Sequence, residues 1–566
     1  MTRRGRLLRS VSPWLAGLIS ASAVHAAPTF PAPATVRWIA CPSDLIDSEF
    51  TTASAGRLEC GSLAAPLTYD APDERRVDVG LIRVKAELPT ERKGAIFFNF
   101  GGPGVHPALI LPHIAAMWSV ADPRSDIDGD KRRLAEQYDL IAVVPRGLRG
   151  SPTVACDPAM LKLAYREDPL VYRSPQNWTD LTQDVQALAE HCGSQFGMRH
   201  VDTGSHVGDM EYARISLGEP EMNFFGASYG TMVGSYYASL FPEHMGRFVL
   251  DSAMDLTATY EQLLLRAPAA LQGAFERDAA QPALANPDYQ VTERDVATLV
   301  IRLQQMPAEA RRAWIGRIET PADLAAVYRM SHWFNQEWAR TSAPGYWDTV
   351  GTRFLGRAET YVFSADTDIN DDIRASAEKF IGLLGYSGGP EPYIDAGTYF
   401  GVICGEMPWT HSPQDWRKTA NAISLKYPMA GGGTVMSGLV CRHWPERKSN
   451  RPALALLAHA KPMLMVQAEY DKRTPLDGAL RTFRAMPLAY MITARGMSAH
   501  GVFGTSGTPC VEQGVGHYLL TGELPAERST TCDFEPSPTS RHARSVGTLP
   551  PVHELREQVR ERLRRS

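Results

Sequence analysis

No stretch of the 566 residues stays apolar for the 18 or so positions that a membrane-spanning helix needs. That argues against a stable membrane span in the mature chain. A basic surplus is also missing, because 58 lysines and arginines face 63 aspartates and glutamates, a net charge of -5. Phosphate backbones need a positive face, so nucleic acid is excluded as the principal partner. Cysteine is sparse, eight in all, with no C-x-x-C pair and no cysteine–histidine cluster at zinc spacing. A metal site is therefore not expected, and no motif calls for a cofactor. No internal repeat is present. What remains is globular composition, 44% hydrophobic and 21% charged. The length fits three or four domains, or one large core with insertions.

The amino terminus is distinctive. Arg3, Arg4, Arg6 and Arg9 precede an apolar stretch from Val11 to Val24, and Val24-His25-Ala26 offers a signal-peptidase site. Residues 1–26 read as a cleavable secretory signal of the general export route, with an uncleaved anchor as the alternative. The mature chain is then expected to be secreted or periplasmic. An oxidising compartment makes cysteine pairing the default. The spacing suggests sequential neighbours: Cys41 with Cys60, Cys156 with Cys192, Cys404 with Cys441, and Cys510 with Cys532. Each bridge would contribute about 3–4 kcal/mol.

Short β-rich runs recur at Val79–Val84, Ala95–Phe100, Leu140–Val144, Met222–Phe225, Phe248–Leu250, Met463–Ala468 and Tyr490–Thr493. Helical patterns separate several of them, including Asp180–Gly193 and Val207–Leu217. Such alternation predicts an α/β fold with a mostly parallel sheet covered by helices on both faces. The stretch between Leu250 and Met463 has few convincing strands, and Val296, Leu299, Val300 and Leu303 share one helix face. The expected organisation is a first core segment over 27–255, a helical cap insertion over 256–455, a second core segment over 456–535, and a tail over 536–566. The tail ends in a helix with Leu555, Val559 and Leu563 on one face.

Gly226-Ala227-Ser228-Tyr229-Gly230 carries the chemistry. It follows an apolar strand and precedes a helix of small residues, the context in which G-x-S-x-G forms a nucleophile turn. The turn holds a serine in a strained conformation with its hydroxyl outward, and the helix start behind it favours a developing oxyanion. A serine needs a base, and the base needs an orienting group. In this kind of sheet the order along the chain is serine, acid, histidine. Asp471 falls just past the late strand Met463–Ala468, and His500 follows the strand Tyr490–Thr493. Both sit at strand ends, where open α/β sheets place their chemistry. Asp477 reads as a helix carboxylate, His517 as a packed or surface helix histidine, and His542 and His553 as tail residues. An oxyanion hole needs two backbone donors. The Tyr229 amide is one candidate. The loop Gly101-Gly102-Pro103-Gly104 supplies the other, with Gly102 preferred and Gly101 the alternative.

With these residues in place the chain resembles the secreted α/β-hydrolase serine peptidases of the tripeptidyl aminopeptidase type, relatives of the prolyl aminopeptidases. The resemblance covers nearly all of the mature chain. It rests on Leu58-Glu59-Cys60 with Pro66-Leu67-Thr68-Tyr69, on the Gly101–Gly104 loop, and on Tyr138-Asp139-Leu140 through Pro145-Arg146-Gly147. It continues through Leu217–Asp251 and ends at Tyr518–Pro525 before Cys532, which looks like the family's C-terminal domain. Ser228, Asp471 and His500 match the family's triad positions. The chain departs from the family at Phe100, Val105, His106, Val144 and Ser252. The resemblance implies an α/β-hydrolase fold and a peptide substrate with a free N-terminus, cleaved through an acyl-enzyme. An esterase using the same triad is the alternative, and a binding protein on a retired scaffold is a third reading. An exopeptidase of this kind needs a carboxylate for the substrate ammonium. Glu406, beside Cys404, is the candidate, with a surface carboxylate as the other reading. Trp409, Trp416 and Trp444 either line the pocket or pack the core.

Overall fold

In the computed structural model the described residues are 30–46, 50, 54, 56–69, 75–154, 156, 174–306, 308–338, 346–384, 394–445, 451–534 and 552–565. The expected export signal, residues 1–26, lies outside them, as does His542.

Among the described residues, ten strands form one sheet. They are β1 (Arg37–Ile39), β2 (Leu58–Pro66), β3 (Arg76–Val84), β4 (Gly94–Asn99), β5 (Tyr138–Val143), β6 (Met222–Ala227), β7 (Met245–Asp251), β8 (Met463–Ala468), β9 (Ala489–Arg495) and β10 (Ser529–Asp533). Their order across the sheet is β1-β2-β3-β5-β4-β6-β7-β8-β9-β10. The first three strands and the β3–β5 pairing are antiparallel, and every pairing from β5 to β10 is parallel. The inner strands β4, β5 and β8 are buried at every position. That explains their continuous apolar runs, since helices cover both faces of a parallel sheet. This is the α/β-hydrolase arrangement.

β2 and β10 were not visible as strands in the sequence. β2 reads Leu-Glu-Cys-Gly-Ser-Leu-Ala-Ala-Pro, with no β-branched residue. It is nonetheless held by a nine-residue register against β3. β10 is a short edge strand that pairs with β9 over its whole length.

Among the described residues, every regular element between β7 and β8 is a helix. These helices divide by what they bury. Phe275 to Leu384, with Met429, enclose their own apolar cluster around Trp314, Trp333 and Phe380. The later helices α3 (Ala396–Gly405) and α4 (Gly433–Arg442) instead pack into the main core below the sheet, with Phe400, Ile403, Leu439 and Val440 buried there. Trp409, Trp416 and Trp444 belong to that same core, so they pack rather than line an opening. Cys404–Cys441 joins α3 to α4, and Cys41–Cys60, Cys156–Cys192 and Cys510–Cys532 are also bonded. The chain ends in helix α5 (Val552–Arg565), with Leu555, Val559 and Leu563 buried against the core.

Candidate active site

The candidate residues gather at one edge of the sheet because each follows the C-terminal end of a parallel strand. Ser228 sits between β6 and helix α2 (Tyr229–Leu240) with φ 58° and ψ -124°. Non-glycine residues adopt positive φ only when their surroundings force it. Here the flanking glycines allow the forced turn. A Cβ on Gly226 would strike the Gly230 carbonyl, and one on Gly230 would strike the Asn99 carbonyl. The Ser228 amide donates to the Asp251 carbonyl at 3.0 Å, which fixes the turn to the end of β7.

Asp471 lies past β8 and His500 past β9. His500 Nδ1 lies 2.8 Å from Asp471 Oδ2 and 3.0 Å from Oδ1. The Asp471 carboxylate also accepts from the amides of Arg473 (2.8 Å) and Thr474 (3.0 Å) and from the Thr474 hydroxyl (2.8 Å). Burial by itself would raise this carboxyl, but His500 and the Thr474 donors outweigh it and hold Asp471 below the usual carboxylate range. Asp471 is therefore an ionised partner for Nδ1–H, leaving the other ring nitrogen as acceptor. That nitrogen, Nε2, is buried and has no hydrogen-bond partner among the described residues.

The loop after β4 closes over the turn. Asn99 accepts from the Gly101 amide at 3.0 Å, and its side-chain amide donates to His206 Nε2 at 3.0 Å. The Gly101 N–H is thus engaged, which favours Gly102 over Gly101 as a donor for a bound oxygen. Burial, with Arg146 nearby, pushes the His206 imidazole down to about 3, so it stays neutral and can accept from Asn99. Beneath the loop Arg146 forms a bidentate pair (2.7 and 2.8 Å) with Asp209 of helix α1 (Thr203–Leu217) and donates to the carbonyls of Pro66 and Leu67. Tyr69 donates to the same carboxylate at 2.7 Å. One buried ion pair therefore joins the Pro66–Tyr69 and Pro145–Gly147 segments that stood out in the sequence.

A small cleft opens beside this loop, with Gly104, Asp202, His206, Tyr229, Thr398 and Val402 among its lining residues. Glu406 lies one helical turn beyond Val402 and is only 3% exposed. One of its oxygens accepts from the Thr203 amide, and Oε2 has no partner among the described residues. Burial, opposed by Thr203 and reinforced by Asp202, pushes this carboxyl up to about 8. Glu406 is therefore not a surface carboxylate.

Sequence reasoning did not single out Asn99, His206, Asp209, Thr474 or Asp251, and it marked Ser252 only as a departure from the family pattern. Asn99 stood within the apolar run Ala95–Phe100, and only its partner across the fold explains it. Asp477 begins helix Leu476–Ala485, and His517 is half-exposed and pairs with Glu523 at 3.0 Å. Neither belongs to the site.

The family model for TAP-like proteins matches residues 427–532, the segment that contains Asp471 and His500. A tripeptidyl aminopeptidase of Streptomyces lividans is 26% identical over 488 residues, covering 84% of this chain and 83% of that protein. Carboxylesterase B of Mycobacterium tuberculosis is 28% identical over 505 residues, covering 86% and 88%. Serine protease Hip1 of Mycobacterium bovis is 24% identical over 516 residues, covering 87% and 89%. The chain is a serine hydrolase of the α/β-hydrolase fold with a TAP-like C-terminal domain, homologous to the tripeptidyl aminopeptidases.

Proposed function

We propose that this chain is an exported aminopeptidase that releases single residues or short peptides from free N-termini through an acyl-enzyme on Ser228. The observation that carries the reading is the buried Asp471–His500 pair. Its unpartnered Nε2 lies at the sheet edge where Ser228 stands in a forced turn. His500 takes the Ser228 proton as the hydroxyl attacks the scissile carbonyl, and Asp471 stabilises the imidazolium. The amides of Tyr229 and Gly102 receive the oxyanion. His500 then hands the proton to the departing amine, and water repeats the sequence on the acyl-enzyme. A peptide substrate is favoured by the relatives named tripeptidyl aminopeptidase and serine protease. Export is favoured by the four disulfides.

Glu406 is the proposed partner for the substrate ammonium. A carboxyl pushed up by burial ionises when a cation arrives beside it, so binding and proton release go together. Glu406 lies one helical turn from Val402, which lines the cleft.

Ser228→Ala should cost at least about a thousandfold in rate with the fold retained. Free and N-blocked aminoacyl-nitroanilides assayed beside p-nitrophenyl esters identify the substrate class. Full activity of the Ser228→Ala protein would overturn the triad. Cleavage of esters alone would select the esterase reading, to which the carboxylesterase relative points.

A further inference from the structure

Asp251 touches both halves of the catalytic constellation, although the reaction gives it no role. It is the last residue of β7 and is fully buried. Its backbone carbonyl accepts from the Ser228 amide at 3.0 Å. Its side-chain carboxylate accepts from the amides of Val502 (2.9 and 3.0 Å) and Phe503 (2.8 Å), directly after His500. The neighbouring Ser252, itself at φ 51°, accepts from the Gly501 amide through its hydroxyl at 2.8 Å. Three successive amides after His500 therefore end on two successive side chains, Asp251 at the end of β7 and Ser252 just past it. No regular secondary structure holds His500 itself, which stands in the loop between β9 and the next helix.

We propose that Asp251 is a positioning residue that sets His500 against Ser228, its carbonyl fixing the nucleophile turn and its carboxylate, with Ser252, fixing the histidine loop. This rests on the triad reading above. Its geometry is that of a common datum: whatever moves the end of β7 moves nucleophile and base together. An ionised carboxylate suits the task because it accepts several amides at once. Burial drives the Asp251 carboxyl up to about 7, and the amides of Phe503 and Val502 together with His500 draw it back only in part. A buried carboxylate at a fully enclosed position is costly, and among the described residues its hydrogen bonds come from the Val502 and Phe503 amides and the Ser252 hydroxyl.

The test exploits what His500 does in each step. Both substrates need His500 as base when Ser228 attacks, but releasing an amine or alkoxide also requires a proton back from the imidazole, whereas p-nitrophenolate leaves without one. Two substrates with the same acyl group, one with each kind of leaving group, are therefore compared in the full-length protein. Asp251→Asn keeps the shape but sets an amide NH2 against at least one of the two backbone donors. We expect kcat on the amine- or alkoxide-releasing substrate to fall about 30-fold or more, KM to change less than twofold, and the nitrophenyl ester also to slow but by at least about fivefold less. Ser252→Ala removes one acceptor and should give the same skew with a smaller loss, so it carries the test if Asp251→Asn does not fold. A parallel loss on both substrates, or none, overturns the proposal. Labelling of the wild-type protein by a fluorophosphonate separates this from the underlying reading. Failure to label Ser228 defeats the triad, whereas normal labelling with no skew in the variants defeats only the role of Asp251.

Discussion

The closeness of the β4 loop to the nucleophile turn makes Gly101→Ala a sharp perturbation. Gly101 has φ +86°, and a methyl group there would lie 2.7 Å from the Ala227 carbonyl oxygen, 2.8 Å from Ser228 Cβ and 3.1 Å from the Tyr229 nitrogen. Two of these contacts are shorter than real Cβ atoms tolerate, and all three lie on the turn itself. The left-handed backbone costs an L-residue about 1–2 kcal/mol, and forced overpacking adds about 1–3 kcal/mol. The expected destabilisation is therefore about 2–5 kcal/mol. Gly218 is the matched control. It also sits at positive φ, +72°, but a methyl there meets nothing within 4 Å. Gly218→Ala should lose only the backbone term, about 1–2 kcal/mol, and keep its activity. Gly101→Ala should in addition slow Ser228 labelling about a hundredfold, because a displacement of order 1 Å at reacting atoms costs that much. Guanidinium unfolding followed by tryptophan fluorescence gives the stabilities, and fluorophosphonate kinetics give the reactivity. Equal stability losses and unchanged labelling in the two variants would refute the close approach.

Other perturbations probe the buried charges. Arg146→Met should destabilise the chain by about 3–5 kcal/mol, since it strands the Asp209 carboxylate in a fully enclosed site. Removing both charges with Asp209→Asn in the same chain should recover part of that loss in the same unfolding assay. The Glu406 carboxyl is raised by burial to about 8. The folded protein therefore retains a proton that the unfolded chain has released above its ordinary value near 4.5. Stability contributed by that proton is full at low pH and is lost as pH rises toward 8. Glu406→Gln should remove this slope, so unfolding midpoints at pH 5 and pH 8 should differ less in the variant than in wild type. Parallel pH curves would show that Glu406 is ionised in the folded state.

Local features were the legible ones. Ser228 stood out because strand, glycine-flanked turn and helix are contiguous in sequence. Asp471 and His500 followed from where open sheets put their loops. The inner strands announced themselves through continuous apolar runs, because both faces are covered. What stayed hidden depends on partners far along the chain. Asp251 reads as the polar end of a strand until Val502 and Phe503 are seen to donate to it. Asn99 reads as part of an apolar run until His206 is found beside it. β2, without β-branched residues, is made a strand by β3 rather than by its own propensity. The helices after β7 share one character in sequence, yet Trp314 and Trp416 end in different cores. Periodicity reports that a face is apolar, not which body covers it.

The terminal helix α5 has a consequence for the order of assembly. Leu563 lies against Gly501, the residue after His500, such that a methyl group on Gly501 would fall 2.6 Å from it. On the same helix Arg556 pairs with Asp128 at 3.0 Å. Asp128 in turn holds Lys131, which holds Glu512 beneath the amides of Gly504 and Gly507. A chain is made from its amino end. The residues of the nucleophile turn and the glycine loop are therefore made hundreds of residues before Leu563, which packs behind the base. The base is thus buttressed by a segment made long after the nucleophile, so a chain cut before α5 would keep Ser228, Asp471 and His500 in sequence yet lack the packing behind Gly501.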